Sequence, residues 1–171
     1  VFDHKGEGII AKRKTSTYGI GKTHRDWYKI KNWREIHAFL TTYDSKNGYF
    51  DVHVLEGEHL FAVGKCKHGI DDEELNTVKK LFLTNGEKQG TRYTLPPAIC
   101  ASIHTLDIYD NELREPEFNR IAPEVKPEEC TKDRLQLDLA MLPQHIDFAN
   151  TEKLYWPDVN ITKGNFLSYM R

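Results

Sequence analysis

In Phe50-Asp51-Val52-His53-Val54, apolar and polar side chains alternate without a break. Successive side chains on a β-strand point to opposite faces, so this segment must sit with one face dry and the other wet. Asn47-Gly48 stands just before it and Glu56-Gly57 just after, both pairs suited to tight reversals. Ile36–Tyr43 and His59–Lys65 flank these turns and have strand-like composition, so residues 36–65 read as a three-stranded antiparallel meander.

The pattern then changes period. Asp71-Asp72-Glu73-Glu74 opens a helix, with Asp71 and Glu74 in capping-box spacing and the acids at the positive end of the helix dipole. Leu75, Val78 and Phe82 form its apolar stripe, and Asn85-Gly86 ends it. A basic turn with Lys88 and Arg92 and then Leu95-Pro96-Pro97 lead into a strand region, Ile99–Tyr109. Its alternation slips between Ile103 and Leu106, the mark of a bulge. Glu112–Ile121 supplies a last strand. Three strands, a helix and two strands is the order of an OB-fold barrel, so the expected class is mainly β with one helix. Residues 123–134 carry Pro123, Pro127 and a run of charges and read as a linker. The tail 135–171 has a helix at Asn165–Met170 behind Thr162, with too little sequence for a core of its own.

Composition is that of a globular chain, with 39% hydrophobic and 29% charged residues and a mean hydropathy of -0.64. No apolar run approaches the roughly 20 residues of a membrane span, and a cytoplasmic location without a membrane is expected. Cys66, Cys100 and Cys130 are far apart and form no C-x-x-C pair, so plain thiols in a reducing compartment are expected. The net charge of -2 argues against a nucleic-acid partner, but its distribution does not. Residues 1–35 hold nine Lys/Arg (Lys5, Lys12, Arg13, Lys14, Lys22, Arg25, Lys29, Lys31 and Arg34) against four acids. Residues 36–125 hold nine basic and fifteen acidic side chains. Only the front is built to face polyphosphate.

That front contains two short strands, within 7–14 and 26–32. In the second, Trp27, Lys29 and Lys31 share a face, with the two lysines about 7 Å apart. A carboxylate at Glu7 able to hold a divalent cation, beside lysines able to neutralise phosphate, is the equipment of nucleotidyl transfer. The plainer alternatives are a salt-bridged strand acid and an exposed lysine face. The first residue is Val1, not Met, and a piece of a larger protein is expected.

Glu7-Gly8-Ile9-Ile10-Ala11-Lys12 resembles the E-G-x-x-x-K element of ATP-dependent DNA ligases, and Trp27-Tyr28-Lys29-Ile30-Lys31 resembles their W-x-K-x-K element. The link from Arg13 to Arg25 is most similar to the ligase D type, the multidomain bacterial enzymes of non-homologous end joining. Val63-Gly64-Lys65 with Gly69 resembles the V-G-K-x-x-x-G turn of the ligase OB domain. Lys153–Pro157 with Ile161–Gly164 is similar to the opening of the polymerase/primase domain that such enzymes carry.

The resemblance implies the last strands of an adenylation (nucleotidyltransferase) domain over 1–34, an OB domain over 35–122, a linker over 123–134 and the start of a polymerase domain over 135–171. It implies ATP and Mg2+ or Mn2+ as cofactors, with Glu7 on the metal. Lys29 and Lys31 are its catalytic positions on the α-phosphate, and Glu7, Lys12, Lys29 and Lys31 its cofactor-binding set. Broken DNA and the end-binding Ku protein are its partners and the bacterial nucleoid its location. Arg13, Lys65, Lys67, Arg92 and Arg114 are candidates for DNA contact. The family's nucleophile lies in a K-x-D-G element, which does not occur here, so this chain alone is expected to be inactive. The R-x-D-K-like element that closes the OB domain is also missing, with Phe118–Val125 in its place and Arg114 and Arg120 as partial substitutes. A non-catalytic OB module that binds nucleic acid, and an RNA ligase or capping-type nucleotidyltransferase, are the alternatives.

Overall fold

The computed structural model describes residues 6–21, 23–142 and 148–170. Asp3, Lys5 and Lys22 of the basic front, and residues 143–147 and 171 of the tail, lie outside them. The chain divides into two compact units, residues 1–33 and 34–171.

The first unit is built on β1 (Gly8–Lys12) and β2 (Trp27–Lys31), paired antiparallel with Gly8 opposite Lys31, Ile10 opposite Lys29 and Lys12 opposite Trp27. Gly8 has φ +149°, and a Cβ there would run into the Ile30 carbonyl and come within 3.0 Å of the Lys31 Cα. The glycine of the E-G-x-x-x-K stretch thus lets the two backbones meet. Asn32 locks the open end, its backbone amide donating to the Glu7 carbonyl at 2.8 Å and its side-chain amide to the Gly6 carbonyl at 3.0 Å.

The second unit is organised on β3 (Arg34–Asp44), β4 (Tyr49–Glu56), β5 (His59–Cys66), β6 (Glu87–Gln89), β7 (Arg92–Thr105) and β10 (Glu117–Ile121). They form one antiparallel sheet in the order β10-β7-β3-β4-β5, with β6 paired to β7. Helix α1 (Asp72–Asn85) crosses between β5 and β6 in the chain, so the OB order of strands and helix is present. The outer strands β5 and β10 are not paired as a ladder. Beyond β5, the Phe118 amide donates to the His68 carbonyl at 2.6 Å.

The alternation that starts the chain's logic is realised in β4: Phe50, Val52 and Val54 are fully buried while Asp51 and His53 face outward. Phe50 anchors the core, with ring centroids 4.8 Å from Tyr43, 5.4 Å from Phe82 and 5.8 Å from Phe118. Val78 and Phe82 of α1 enter this core as the stripe requires. The Asp71 carboxylate caps α1 by accepting from the amides of Glu73 and Glu74. The capping box is not completed: the Glu74 carboxylate accepts from the Ile121 amide at 2.9 Å and ties the helix start to β10 instead.

Two irregularities differ from the alternation pattern. The slip before Leu106 is a strand end, after which the hairpin of β8 (Asp107–Tyr109) and β9 (Glu112–Arg114) begins. The bulge lies earlier, where Leu95–Ala98 intervenes between pairings of β7 with Thr42 and Leu40. Pro96 and Pro97 carry no amide for a ladder and fit that position.

Among the described residues the fold is mainly β, as expected, and three α-helices accompany the strands: α1, a tail helix where the sequence placed one, and one that it did not announce. Residues 123–134 hold a 3-10 turn at Pro127–Glu129 and the start of α2 (Lys132–Leu139), whose N-cap Thr131 accepts from the Arg134 amide. Its charged surface hid the helix, but Leu135 and Leu139 sit one turn apart and are buried in the main core. In the tail, β11 (Leu154–Trp156) pairs with β12 (Ile161–Thr162), and α3 (Lys163–Met170) follows, with the Thr162 hydroxyl accepting from the Asn165 amide at 3.1 Å. No helix among the described residues is long and apolar enough to cross a membrane.

Arg34 is the largest correction to the charge reading. It belongs to β3 and is 1% exposed, donating to the carbonyls of Leu139 and Leu106, with Asp107 as counterion at 3.8 Å. It is a structural cation, not part of a phosphate-facing surface.

Candidate functional site

Directly opposed residues of an antiparallel pair share a face, so the β1–β2 register sorts the front residues without ambiguity. Ile10 and Lys12 of β1 share a face with Trp27, Lys29 and Lys31 of β2; Ile9, Ala11, Tyr28 and Ile30 occupy the other. All three lysines of the expected cofactor-binding set therefore face one way. The Lys12 ammonium lies 3.9 Å from the Trp27 ring centroid and that of Lys31 lies 4.3 Å from Trp33, cation–ring contacts that orient both side chains. Gly8, opposite Lys31, adds no side chain to this face. Glu7 stands immediately before β1, its backbone carbonyl held by the Asn32 amide. Such a face can receive a polyphosphate along the strand.

Arg13, just past β1, pairs with Asp26 at 3.5 Å, both partners being well exposed. Its backbone amide also donates to the Asp26 carbonyl, so the pair closes the base of the 13–26 loop. The rings of Tyr18 and His24 from that loop gather with that of Trp27, the first residue of β2, in near-parallel planes, a grouping with no signal in the sequence pattern.

In the second unit, Lys65, Lys67 and Arg92 do come together. Lys65 stands opposite Asp51 across β4 and β5, with 3.9 Å between charged atoms, and Arg92 at the start of β7 forms a direct ion pair with the same carboxylate. Lys67 continues the row over the Tyr49 ring at 5.3 Å. Two cations, Lys65 and Arg92, thus share one acid; the turn register alone would set Asp51 opposite Gly64, and the bulge that skips Val63 brings Lys65 there. Beside them a groove of about 610 Å³ is lined in part by Thr41, Thr42, Asp51, His53, Arg92 and Thr94. His53 bonds to the Thr41 hydroxyl at 2.9 Å, and burial pushes its pKa down while Asp51 opposes that shift. Arg114 is separate from this row, at the end of β9, where its carbonyl accepts from the Leu106 amide and the Thr105 hydroxyl. Arg120 is held in an ion pair with Glu124.

No group of three or more His, Cys, Asp or Glu among the described residues is arranged to hold a metal ion. One carboxylate ligand, all that Glu7 could contribute, suits only a cation held largely by water and phosphate oxygens.

No family model matches the chain. It is 28% identical over 171 residues, 99% of its length, to the bifunctional non-homologous end joining protein LigD of Bacillus subtilis, of which it covers 28%. It is 28% identical over 144 residues to DNA ligase 2 of Methanosarcina acetivorans, 72% of this chain and 25% of that protein. The ligase domain of Mycobacterium tuberculosis LigD has a similar fold, with a TM-score of 0.54 at 20% identity over 76% of this chain and 48% of the other. A mycobacterial DNA ligase D complexed with ATP and MES gives 0.51 at 21% identity, over 75% and 48%. The chain therefore spans little more than a quarter of the first of these relatives, and about half of each solved ligase chain. By sequence along nearly its whole length the chain is similar to the LigD protein of bacterial end joining, and over three quarters of it the fold is similar to that of a LigD ligase domain.

Proposed function

We propose that this chain provides the phosphate-facing wall and the OB unit of an ATP-dependent DNA ligase that seals breaks in end-joining repair. The observation that carries this reading is the shared face of Lys12, Lys29 and Lys31 on β1–β2, with Glu7 one residue before β1 in the chain. In such an enzyme a lysine is adenylated by ATP, AMP passes to the 5′-phosphate of a break, and the 3′-hydroxyl displaces AMP. Each step builds charge on a phosphate. Lys29 and Lys31 would contact the α-phosphate and stabilise that charge from fixed positions, which a preformed strand supplies without reorganisation. Glu7 would hold Mg2+ or Mn2+ jointly with phosphate oxygens, and the ion would add charge neutralisation. Arg13, Lys65, Lys67, Arg92 and Arg114 would contact the DNA backbone. Ku at the DNA end, and the nucleoid as location, belong to the same reading. Residues 1–33 would end the adenylation domain and 34–122 would form the OB domain, since Arg34 belongs to β3; 123–134 would link it to the start of a polymerase domain over 135–171.

The test has two arms. Incubation with labelled ATP and magnesium, followed by a denaturing gel, is expected to leave this chain without a covalent AMP, because it has no K-x-D-G element. A lysyl-AMP adduct on these residues would refute that assignment. Binding to nicked duplex is expected to fall steeply with salt and to weaken in Lys29→Ala and Lys31→Ala. Loss of those lysines without effect on binding would favour the second reading, a non-catalytic OB module that works through the Lys65, Lys67 and Arg92 row. Nicked RNA competing better than nicked DNA would favour an RNA ligase or capping-type enzyme.

A further inference from the structure

The 13–26 loop carries an arrangement that phosphate binding does not call for. His24 lies on Trp27 with centroids 4.3 Å apart and planes 16° from parallel. Tyr18 completes the group at 5.2 Å from His24 and 5.7 Å from Trp27, with interplanar angles of 14° and 27°. Trp27 is fixed by its indole N–H, which donates to the Ser16 hydroxyl at 3.2 Å, and by the Lys12 ammonium at its ring. The rings are therefore held in one orientation, yet Tyr18 is 71% exposed. A concavity of about 360 Å³ borders them, lined in part by Ser16, Tyr18, Gly19, His24 and Arg25.

His24 and Trp27 are partly buried against each other, whereas Tyr18, stacked parallel to both, lacks the burial that normally makes such a ring stabilising. What they offer is a flat π-surface of fixed orientation. Its surroundings are cationic: Lys12, Arg13, Lys14 and Arg25 stand within the same stretch, against Asp26 as the one acid between residues 12 and 27. Parallel aromatic rings among cations are what proteins use to bind unpaired nucleotides, the bases stacking on the rings and the phosphates meeting the charges. A base in duplex DNA keeps both faces covered by its neighbours and cannot use such a platform.

We propose that Tyr18, His24 and Trp27 form a stacking platform for an unpaired base, with Arg25 and Lys14 meeting the adjoining phosphates. The ligand class is a single-stranded nucleic-acid segment, such as an overhang or frayed end beside a break. The inference rests on the nucleic-acid reading above for the kind of polymer, and on the ring geometry for the unpaired base.

The test compares two probes of equal length and charge: an oligothymidylate of about twelve nucleotides, and an abasic oligomer with the same phosphate backbone. The chain is expected to bind the oligothymidylate about tenfold or more tighter, the scale of one or two stacked bases. Tyr18→Ala and His24→Ala are expected to reduce the two affinities to the same value, and Tyr18→Phe to keep the difference. Equal binding of the two probes by the unmodified chain overturns the platform, and that measurement does not depend on how any variant folds. Retention of the difference in both alanine variants overturns it as well. If the probes bind equally while nicked duplex still binds with strong salt dependence, the platform alone has failed. If none of the three binds at low salt, the nucleic-acid reading has failed with it.

Discussion

Gly69 lies against the backbone of Phe118. The Phe118 amide donates to the carbonyl of the preceding residue, His68, at 2.6 Å, and a Cβ on Gly69 would strike the Phe118 carbonyl and come within 2.6 Å of its amide nitrogen. Gly69 has φ +124° and Gly64, five residues earlier, φ +125°. Both glycines of the V-G-K-x-x-x-G stretch thus take backbone conformations that side chains resist. Here the segment leaving β5 meets β10, the two outer strands of the sheet.

Gly69→Ala is therefore expected to destabilise the second unit by about 2 kcal/mol or more, because strain at positive φ and a backbone clash act together. Chemical denaturation of both forms measures it. Gly57→Ala is the control: its φ is also positive, at +62°, but nothing lies within 4 Å of the added carbon. Its cost is expected to stay near 1 kcal/mol. Equal losses would show that the approach to Phe118 is not tight.

Arg34 supplies the second prediction. Its guanidinium joins the carbonyl that ends α2, at Leu139, to the carbonyl of Leu106 between β7 and β8, with its side chain fully buried. Arg34→Met leaves those carbonyls without this donor and is expected to cost about 3–5 kcal/mol. Arg34→Lys is expected to recover little, because one ammonium on a flexible stem does not reproduce the planar fork. Full rescue by lysine in thermal melts would mean that charge alone matters there.

Arg34 and Lys29 also mark how far the sequence could be read. Alternation, turn pairs and the helix cap are local signals, and they located the meander, α1 and the lysine face because each depends on neighbours within a few residues. Whether a cation is wet or buried depends on residues about a hundred positions away. Nothing near Arg34 announces Leu139. The same limit hid the Tyr18, His24 and Trp27 grouping, which needs the loop to close between Arg13 and Asp26. The partner of Asp51 was hidden too: the Glu56-Gly57 turn alone would set it opposite Gly64, and the bulge between Val52 and His53 moves it to Lys65.

Asp51 gives the third prediction. It neutralises Lys65 and Arg92 on the outer face of the OB sheet. Asp51→Asn removes that negative charge from a cationic row and is expected to tighten binding to nicked duplex about two- to fivefold at low salt, with a steeper salt dependence. Both cations are partly exposed, at 56% and 44%, so stability is expected to change by less than about 1 kcal/mol. Weaker binding in the variant would mean that the pairs orient Lys65 and Arg92 for contact, and that the carboxylate does not compete with phosphate.

The last prediction concerns pH and Asp138 of α2. Its Oδ1 accepts from the Arg134 guanidinium at 2.9 Å, but its Oδ2 is buried without a hydrogen-bond partner among the described residues. Burial pushes this carboxyl above its ordinary range, against the pull of Arg134 and of the more distant His37. An acid whose pKa is raised by folding binds its proton more tightly in the folded state. The ionised group thus weakens the fold at neutral pH, and that penalty fades as pH falls through the raised pKa toward the ordinary carboxylate range. Glu35 works in the opposite direction: the Ser102 hydroxyl, donating at 2.6 Å, holds its pKa down, so its contribution is lost on acidification. Both proteins retain Glu35, whose charge adds to the upward push on Asp138, so comparing Asp138→Asn with the parent chain reads Asp138 together with its coupling to Glu35. The variant is expected to be more stable by about 1 kcal/mol at pH 7, the scale of an unsatisfied buried acceptor, with the gap closing toward pH 4. Melting curves at pH 7, 5.5 and 4 measure this, and a gap that widens on acidification would show that the Arg134 contact outweighs burial.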